Sequence, residues 1–532
     1  MGKVVSLLKK SLQRKTGNVL SYLGSGMLVA LGQPALVREF CPVVACLGFA
    51  WHWYALKRYT CKQAKWYAFW WFLCVQLVQL SWITSIEYQG VWILGVYGLL
   101  AFGMSLQWTF LLRYVRLMQE MRSLRTCLLL ASLWTIAEWM RLFFFCGFAW
   151  NFVGVTLSWH MTSLQCASLF GVLGMSFFVV FTNSLFFYSK RVWLGVALLP
   201  YLFGVMRLCT VNDTNDVYST LLVQTGLFPE QKECLPGREC HVLNLYEQWE
   251  RVLAFIKPYR HEKLDYLVFP ETVFPYRADA LVYEKTRVEQ MFCDYLGKET
   301  CVYFSSLETS VLSHMDVLQV LALYLRATVI AGLCSYEQEH HYNSLFVFRE
   351  SGWMRYDKRI LLPLAEMLPC EWLQPLSRLY GITSFFTKGM GPQVIDGILP
   401  SICYEELFSH LFVKGCKQGG LLCVNITNDG WYPKSVLAEQ HFTQGLLRAV
   451  EIGRPLVRAC HTGITAGVDA LGRLVRRLEA CEGALVVCVP KQIYITLFSF
   501  YGDLPLLVFC FCVFGNYLFY KNRYCNCLSY SI

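Results

Sequence analysis

The chain is 532 residues long, 55% hydrophobic and 16% charged, with a formal net charge of +10. That is more apolar surface than one or two water-soluble cores need, so the composition points first to a membrane protein. The Lys and Arg residues sit between apolar segments instead of on one face, and no zinc finger, aromatic ribonucleoprotein motif or basic helix accompanies them, which argues against nucleic acid.

Apolar runs long enough to cross a bilayer, roughly 17–25 residues, fall near 17–34, 39–56, 66–85, 91–112, 124–144, 164–188 and 192–210, with a last one near 493–519. The first is broken by glycines and ends at Pro34. Alternate connections carry the positive charge: Lys3, Lys9, Lys10, Arg14 and Lys15 before the first run, and Lys57, Arg58, Lys62 and Lys65 after the second. Arg113, Arg116, Arg122 and Arg125 follow the fourth, Lys190 and Arg191 the sixth, and Lys521 and Arg523 the last. These are 17 basic residues, against little beyond Arg38 and Arg141 on the other side. The asymmetry predicts cytoplasmic tails and, after seven spans, a domain on the far side. The N-terminus lacks a small-residue cleavage site and reads as a retained helix, not a signal peptide.

In "EWMRLFFFCGFAWNFVG", Glu138 and Arg141 close the fifth span. Intramembrane charges are functional suspects, but a spacing of three on one helix face equally suits a self-neutralising pair. The predicted organisation is a helical membrane domain over 1–217, an α/β domain over 218–492 and a final span with its tail over 493–532.

Within the α/β domain, short apolar runs ending in polar or turn residues read as strands: "STLLVQT", "LDYLVFPE", "VIAGLCSY", "NSLFVF", "LPSICYE", "LLCVNITND", "PLVRACHT", "ITAGVDA" and "ALVVCVP". A helical pattern at 435–453 separates two of them, and no fixed-period repeat appears. Of 24 cysteines, 8 precede residue 218, where they serve mostly as small apolar filler, and 12 lie between 218 and 492. None shows zinc-ligand spacing, so no metal or other cofactor is expected; disulfides within an exported domain stay open. His340, His341, His410, His441 and His461 read as structural or surface residues, and the sequons at Asn212 and Asn425 carry no assigned function.

Three strand ends bring together a carboxylate, an ammonium and a thiol. Glu271 closes "LDYLVFPE", Lys358 follows a strand pair in "RYDKRILLPLAE", and Cys403 closes "LPSICYE". Taken singly, these residues suit a capping carboxylate, a solvated face and a core thiol. As a set they offer a proton acceptor, a cation and a nucleophile at the edge where α/β folds place chemistry. An ammonium about 4 Å from a thiol favours the thiolate by roughly 4 kcal/mol at an effective dielectric near 20, or about three pKa units.

In order, "FPET", "YDKRILLPLAEMLP", "ICYEELF", "TNDGWY" and "RAVEIGRPLVRACHTGITAGVDALGR" closely resemble the apolipoprotein N-acyltransferases, membrane-embedded members of the nitrilase superfamily, over nearly the whole chain. The resemblance implies about eight transmembrane helices and a nitrilase-like αββα sandwich. It implies Glu271 as general base, Lys358 as thiolate and oxyanion stabiliser and Cys403 as nucleophile, with Glu366, Tyr404 and Glu405 in support. "QTGLFPEQK" is similar to the family's opening motif, but Glu233 stands where the family often has tryptophan, and no role is carried there. Gly430 replaces a common alanine, and Ala149 a usual proline.

The function so implied is transfer of an acyl chain from a phospholipid, through a cysteine thioester, to the α-amino group of a diacylglyceryl-cysteine apolipoprotein. The implied location is a bacterial inner membrane, with the catalytic domain on the periplasmic side. A membrane-tethered nitrilase-type amidase is the nearest alternative, and a non-catalytic lipoprotein-binding or transport protein comes from another class. The unusually apolar segment 361–386 is expected to form a mobile arm that dips into the bilayer, or else a loop packed on the domain.

Overall fold

The computed structural model describes residues 19–57, 59–112, 123–144, 147–211, 214–232, 242–368, 370–379, 385–390, 394–479 and 482–529. Lys3, Lys9, Lys10, Arg14, Lys15, Arg58, Arg113, Arg116, Arg122, Asn212 and Glu233 lie outside them, as do residues 369 and 380–384 of the apolar segment. The chain forms two compact units. One comprises Met1–Ile86, Val91–Thr210 and Tyr501–Ile532; the other comprises Glu87–Gly90 and Val211–Phe500.

The first unit is helical. Among the described residues, four helices are long and apolar enough to cross a membrane by length and composition: Ile93–Leu111, Leu124–Phe143, Ala167–Tyr188 and Lys190–Cys209. The apolar helix Val19–Leu31 is shorter, as is the apolar stretch Leu504–Tyr520 of the last helix. The predicted run at 39–56 is interrupted by π-helical turns at Val44–Gly48. Such turns displace carbonyls from regular partners, and Asn183 satisfies them: its Nδ2 donates to Val44 O (3.2 Å) and Ala45 O (2.8 Å), while its Oδ1 accepts from Ala50 N (3.0 Å). Glu138 and Arg141 are 3.8 Å apart. The closer partners of Glu138 are Trp134 Nε1 and Val153 N, both at 2.9 Å. This carboxylate therefore ties its helix to the start of the 3₁₀ helix Val153–Trp159.

The last predicted span begins later than its hydropathy suggests. Its helix is Leu504–Ser529. Residues upstream belong to the α/β unit, where Tyr494 N donates to Gly453 O (2.9 Å), Thr496 Oγ1 donates to Glu451 O (2.5 Å) and Phe498 is fully buried.

In the second unit the strands are β1 Val217–Gln224, β2 Tyr266–Val268, β3 Tyr283–Glu284, β4 Val311–Leu312, β5 Thr328–Glu337, β6 His340–Arg349, β7 Gly352–Asp357, β8 Ile398–Ile402, β9 Leu422–Thr427, β10 Leu456–Cys460, β11 Ile464–Val468, β12 Leu474–Glu479 and β13 Gly483–Pro490. Two main sheets result, ordered β13-β1-β2-β5-β6-β7 and β12-β11-β10-β9-β8, beside the small pair β3-β4. The strands β1, β2 and β5 run parallel, as do β8, β9 and β10.

Side-chain alternation shows how the layers stack, since successive residues of a strand face opposite ways. Leu222, Val268, Ile330, Leu345 and Val347 face Ile398, Ile402, Val424, Ile426 and Val457 of the other sheet. Their neighbours Leu221, Val223, Leu267, Val329, Phe346 and Phe348 pack outward under the helices Leu245–Ile256, Lys285–Tyr295 and His314–Leu325. Leu399, Cys423 and Leu456 pack against Ser409–Lys417 and Leu437–Ile452. The order of layers is thus helix, sheet, sheet, helix. Each fully buried Val, Leu, Ile or Phe contributes about 1.5–3 kcal/mol of burial, so an apolar run at alternating register cannot slip without exposing a layer.

One glycine is required by close approach. A Cβ on Gly332 of β5 would lie 2.6 Å from Glu271 Cα and 2.7 Å from Pro270 O. Its carbonyl accepts from Val273 N (2.8 Å), so β5 is the wall against which the Glu271 turn rests. Gly332→Ala is expected to destabilise the unit by about 1–3 kcal/mol and to shift the Glu271 turn. Thermal unfolding checks this, and an unchanged midpoint would contradict it.

Candidate active site

The two sheets present polar residues just beyond several strand ends. Glu271 follows β2, Lys358 follows β7 and Cys403 follows β8. The Lys358 ammonium, on a side chain 1% exposed, lies 3.1 Å from Glu271 Oε1 and 2.7 Å from Glu366 Oε1. Asn343 of β6 donates from Nδ2 to the same two oxygens, at 2.7 and 3.3 Å. Glu366 also fastens its own loop: its Oε2 accepts from Leu362 N (2.8 Å), and its carbonyl accepts from Phe386 N (2.9 Å). The apolar segment is therefore closed at its base by Glu366 and Phe386. Leu361, at its start, is buried, and Trp372, farther along, is 74% exposed.

Cys403 occupies the left-handed region at φ +49°. For a non-glycine residue this conformation costs about 1–3 kcal/mol and persists only where surroundings over-determine it. Glu405 supplies part of that determination. Its buried carboxylate accepts from Ile402 N (2.9 Å), Arg359 N (2.6 Å) and Ile360 N (3.2 Å), and from the Tyr356 hydroxyl at 3.0 and 3.1 Å. It joins the peptide before the thiol to the backbone after Lys358. Burial pushes the Glu405 carboxyl up, opposed by these backbone donors and by the Lys358 charge. Tyr404 is buried with its ring edge-on to Phe408, 5.2 Å between centroids.

Electrostatics differ from the sequence-based expectation for the thiol. Burial first, and the Glu271 carboxylate next, push the Cys403 thiol well above its ordinary value; Lys358 pulls the other way and is outweighed. The reason is geometric, because the lysine charge is already shared between two carboxylates. Burial alone would depress Lys358, but Glu271 and Glu366 more than offset it and hold its pKa far above the usual lysine value. The resting site thus contains an ammonium and a neutral thiol beside a carboxylate.

A second buried cluster backs the thiol from the other side. Arg458 Nε is 3.2 Å from Glu406 Oε2, and its Nη2 is 3.1 Å from Asp429 Oδ2 and 3.0 Å from His441 Nδ1. His441 Nδ1 is 2.8 Å from Asp429 Oδ1, and its Nε2 is 3.2 Å from the Cys403 carbonyl oxygen. Burial would raise the Asp429 carboxyl, but Arg458 and His441 hold it at about 2. His461 lies behind Glu271, with Nε2 2.5 Å from Glu271 O and 3.0 Å from Lys232 Nζ. Burial, then Lys232, keeps this ring well below the ordinary histidine value.

Sequence reasoning gave no site role to Asn343, Tyr356, Glu406, Asp429, His441, Arg458 or Lys232. The one local signal was a charge inside an apolar run, Arg458 in "PLVRACHT".

The α/β unit matches the carbon-nitrogen hydrolase family over residues 238–490, and the helical region matches the apolipoprotein N-acyltransferase N-terminal domain over residues 25–185. This combination defines a membrane-associated member of the carbon-nitrogen hydrolase class. The apolipoprotein N-acyltransferase of Chlamydia caviae is 30% identical over 527 residues, covering 92% of this chain and 95% of that one. That of Chlamydia pneumoniae is 29% identical, covering 94% and 98%, and that of Shewanella oneidensis is 28% identical, covering 73% and 72%. Among solved structures, Saccharomyces cerevisiae Nit3 is similar over 52% of this chain and 92% of that one, at 15% identity and a TM-score of 0.36. The chain belongs to the apolipoprotein N-acyltransferase family and is an acyltransferase.

Two outcomes follow from the charges. Glu271→Gln removes a charge that raises the thiol and frees part of Lys358, so the pH midpoint of Cys403 alkylation by iodoacetamide should fall relative to the parent chain. A midpoint equal or higher would contradict the charge balance. Asp429, depressed from 3.8 to about 2, contributes roughly 2 kcal/mol above its unfolded pKa, and this is lost as pH falls through the folded value. Acid titration of the unfolding midpoint between about pH 5 and 2 should therefore be shallower in Asp429→Asn.

Proposed function

We propose that Cys403 is the nucleophile, Glu271 the proton carrier and Lys358 the electrostatic stabiliser of a two-stage acyl transfer from a phospholipid to the α-amino group of an apolipoprotein's diacylglyceryl-cysteine. The observation that carries this reading is a strained cysteine at the end of β8, beside a buried lysine that two carboxylates hold.

In the first stage Glu271 takes the thiol proton as sulfur attacks the ester carbonyl, and the lysine ammonium offsets the developing oxyanion. A neutral thiol makes this proton acceptor a requirement, since little thiolate exists beforehand. Collapse breaks the carbon–oxygen bond, Glu271 returns the proton to the departing alkoxide, and a lysophospholipid leaves behind a thioester. In the second stage the acceptor amine attacks that thioester. Its proton passes through Glu271 to the leaving sulfur, so amide and free thiol are both regenerated. Glu366 and Asn343 hold Lys358 in place, and Glu405 holds the backbone on both sides of the site.

The remaining parts of the reading concern the membrane. We take the chain to cross it about eight times with both tails cytoplasmic, supported by the distribution of the 17 basic residues. Residues 218–492 then form the catalytic domain on the periplasmic side of a bacterial inner membrane. Trp372, 74% exposed beyond the closed base of its segment, suits an arm that enters the bilayer and admits lipid.

Incubating the purified full chain with phospholipid should add one fatty acyl mass to the Cys403 peptide, and adding a diacylated lipopeptide should discharge it. Cys403→Ala should lose transfer by more than about 1,000-fold. Amide hydrolysis without an acyl adduct would favour the amidase alternative, and full function in Cys403→Ala would favour a binding protein. Trp372→Asp should lower transfer from membrane-embedded phospholipid while leaving thioester formation from a detergent-soluble short-chain ester intact.

A further inference from the structure

We infer that His441 is a positioning residue for the nucleophile: its Nε2–H binds the Cys403 carbonyl and holds the strained peptide that aims the thiol. The inference rests on Cys403 being the reacting group.

The backbone at Cys403 needs support on two sides. Glu405 accepts the amide of Ile402, before the strained residue. Beyond it, the Cys403 carbonyl is met by His441 Nε2 at 3.2 Å, from the helix Leu437–Ile452. A left-handed cysteine turns this carbonyl away from the β8–β9 ladder, whose register ends at Ile402 and Ile426. A donor from outside the sheet is then needed to satisfy it.

The surroundings of the ring decide where its proton sits. Nε2 faces two acceptors, the Cys403 carbonyl at 3.2 Å and Glu406 Oε2 at 3.5 Å. Nδ1 faces Asp429 Oδ1 at 2.8 Å and the donor Arg458 Nη2 at 3.0 Å. If Nδ1 accepts from Arg458, the neutral ring carries its proton on Nε2. If Nδ1 donates to Asp429, a ring protonated on both nitrogens still donates from Nε2. A proton on Nδ1 alone would leave the Nε2 lone pair against two acceptors. Both permitted states therefore deliver a donor to Cys403. The groups that hold the ring in this orientation, Arg458, Asp429 and Glu406, are themselves buried. They also pair with one another, so the imidazole has little freedom to turn.

Two substitutions separate this role from general support of the buried cluster. Asn places its amide near Nδ1, preserving contact with Asp429 and Arg458 but not reaching Cys403. Gln extends an amide toward the Nε2 position and so can keep the donor to the carbonyl. In the full chain, His441→Asn is expected to slow both Cys403 alkylation by iodoacetamide and kcat for acyl transfer to a lipopeptide by about tenfold, the cost of one hydrogen bond to a reacting element, with KM unchanged. His441→Gln should recover most of both. The unfolding midpoint of each variant is measured in parallel, so that a drop in stability is read separately from a change in thiol reactivity. Equal losses in Asn and Gln, or alkylation of Cys403 at the parent rate in Asn, would overturn the inference. Alkylation following the expected pattern in a chain that transfers no acyl group would retain His441 as the holder of the thiol and overturn the acyl-transfer reading alone.

Discussion

An ammonium that is 1% exposed persists inside a protein only when carboxylates surround it, and Lys358 has two, with Asn343 bridging both. Removing one member of such a group leaves an uncompensated buried charge, at a cost of about 3–5 kcal/mol. The members come from distant positions: Glu271 from the turn after β2, Lys358 from the end of β7, Glu366 from the base of the apolar segment and Asn343 from β6. Satisfying the lysine thus fixes three connections at once. The site and the local fold are the same set of interactions.

The same arrangement sets the state of the thiol. A lysine shared between two carboxylates has little charge to spare for a third anion, so burial and Glu271 dominate and Cys403 rests neutral. In the proposed mechanism, reactivity then depends on a proton acceptor already in place. Oxidation of cysteine follows thiolate character, so a thiol that rests protonated is protected from it. In that mechanism, activation and protection are two consequences of one charge distribution.

How much of this was legible in the sequence follows from the range of each signal. Glu271 and Cys403 close short apolar strand runs and Lys358 follows a strand pair, patterns readable within a few residues, and the ordered motifs of the family resemblance join the three. The cluster of Glu406, Asp429, His441 and Arg458 has no such local pattern. Its members meet only because β8, β9 and β10 lie side by side and the helix after β9 packs over them. Hydropathy likewise could not separate two kinds of apolar environment near the C-terminus. Phe498 is as apolar as a residue in lipid, yet it lies in a protein core with Leu399, Phe412 and Ile452. The π-helical turns at Val44–Gly48 were also invisible, since they depend on a partner 139 residues away at Asn183.

The placement of Glu271 and Lys358 relative to Cys403 is finally a property of the sandwich. Glu271 and Lys358 belong to the six-stranded sheet and Cys403 to the five-stranded one, so inter-sheet packing places them relative to each other. Apolar contacts among Val268, Ile402, Ile426 and Tyr356 supply the contact area but little directional information. Direction comes from the Tyr356 hydroxyl, which leaves that apolar layer to bind both oxygens of Glu405. Because Glu405 also takes the amides of Ile402, Arg359 and Ile360, one carboxylate registers the end of β7 against the end of β8. Hydrophobic burial brings the two sheets together, and a few buried hydrogen bonds to a single charge determine where the Cys403 backbone sits relative to the end of β7.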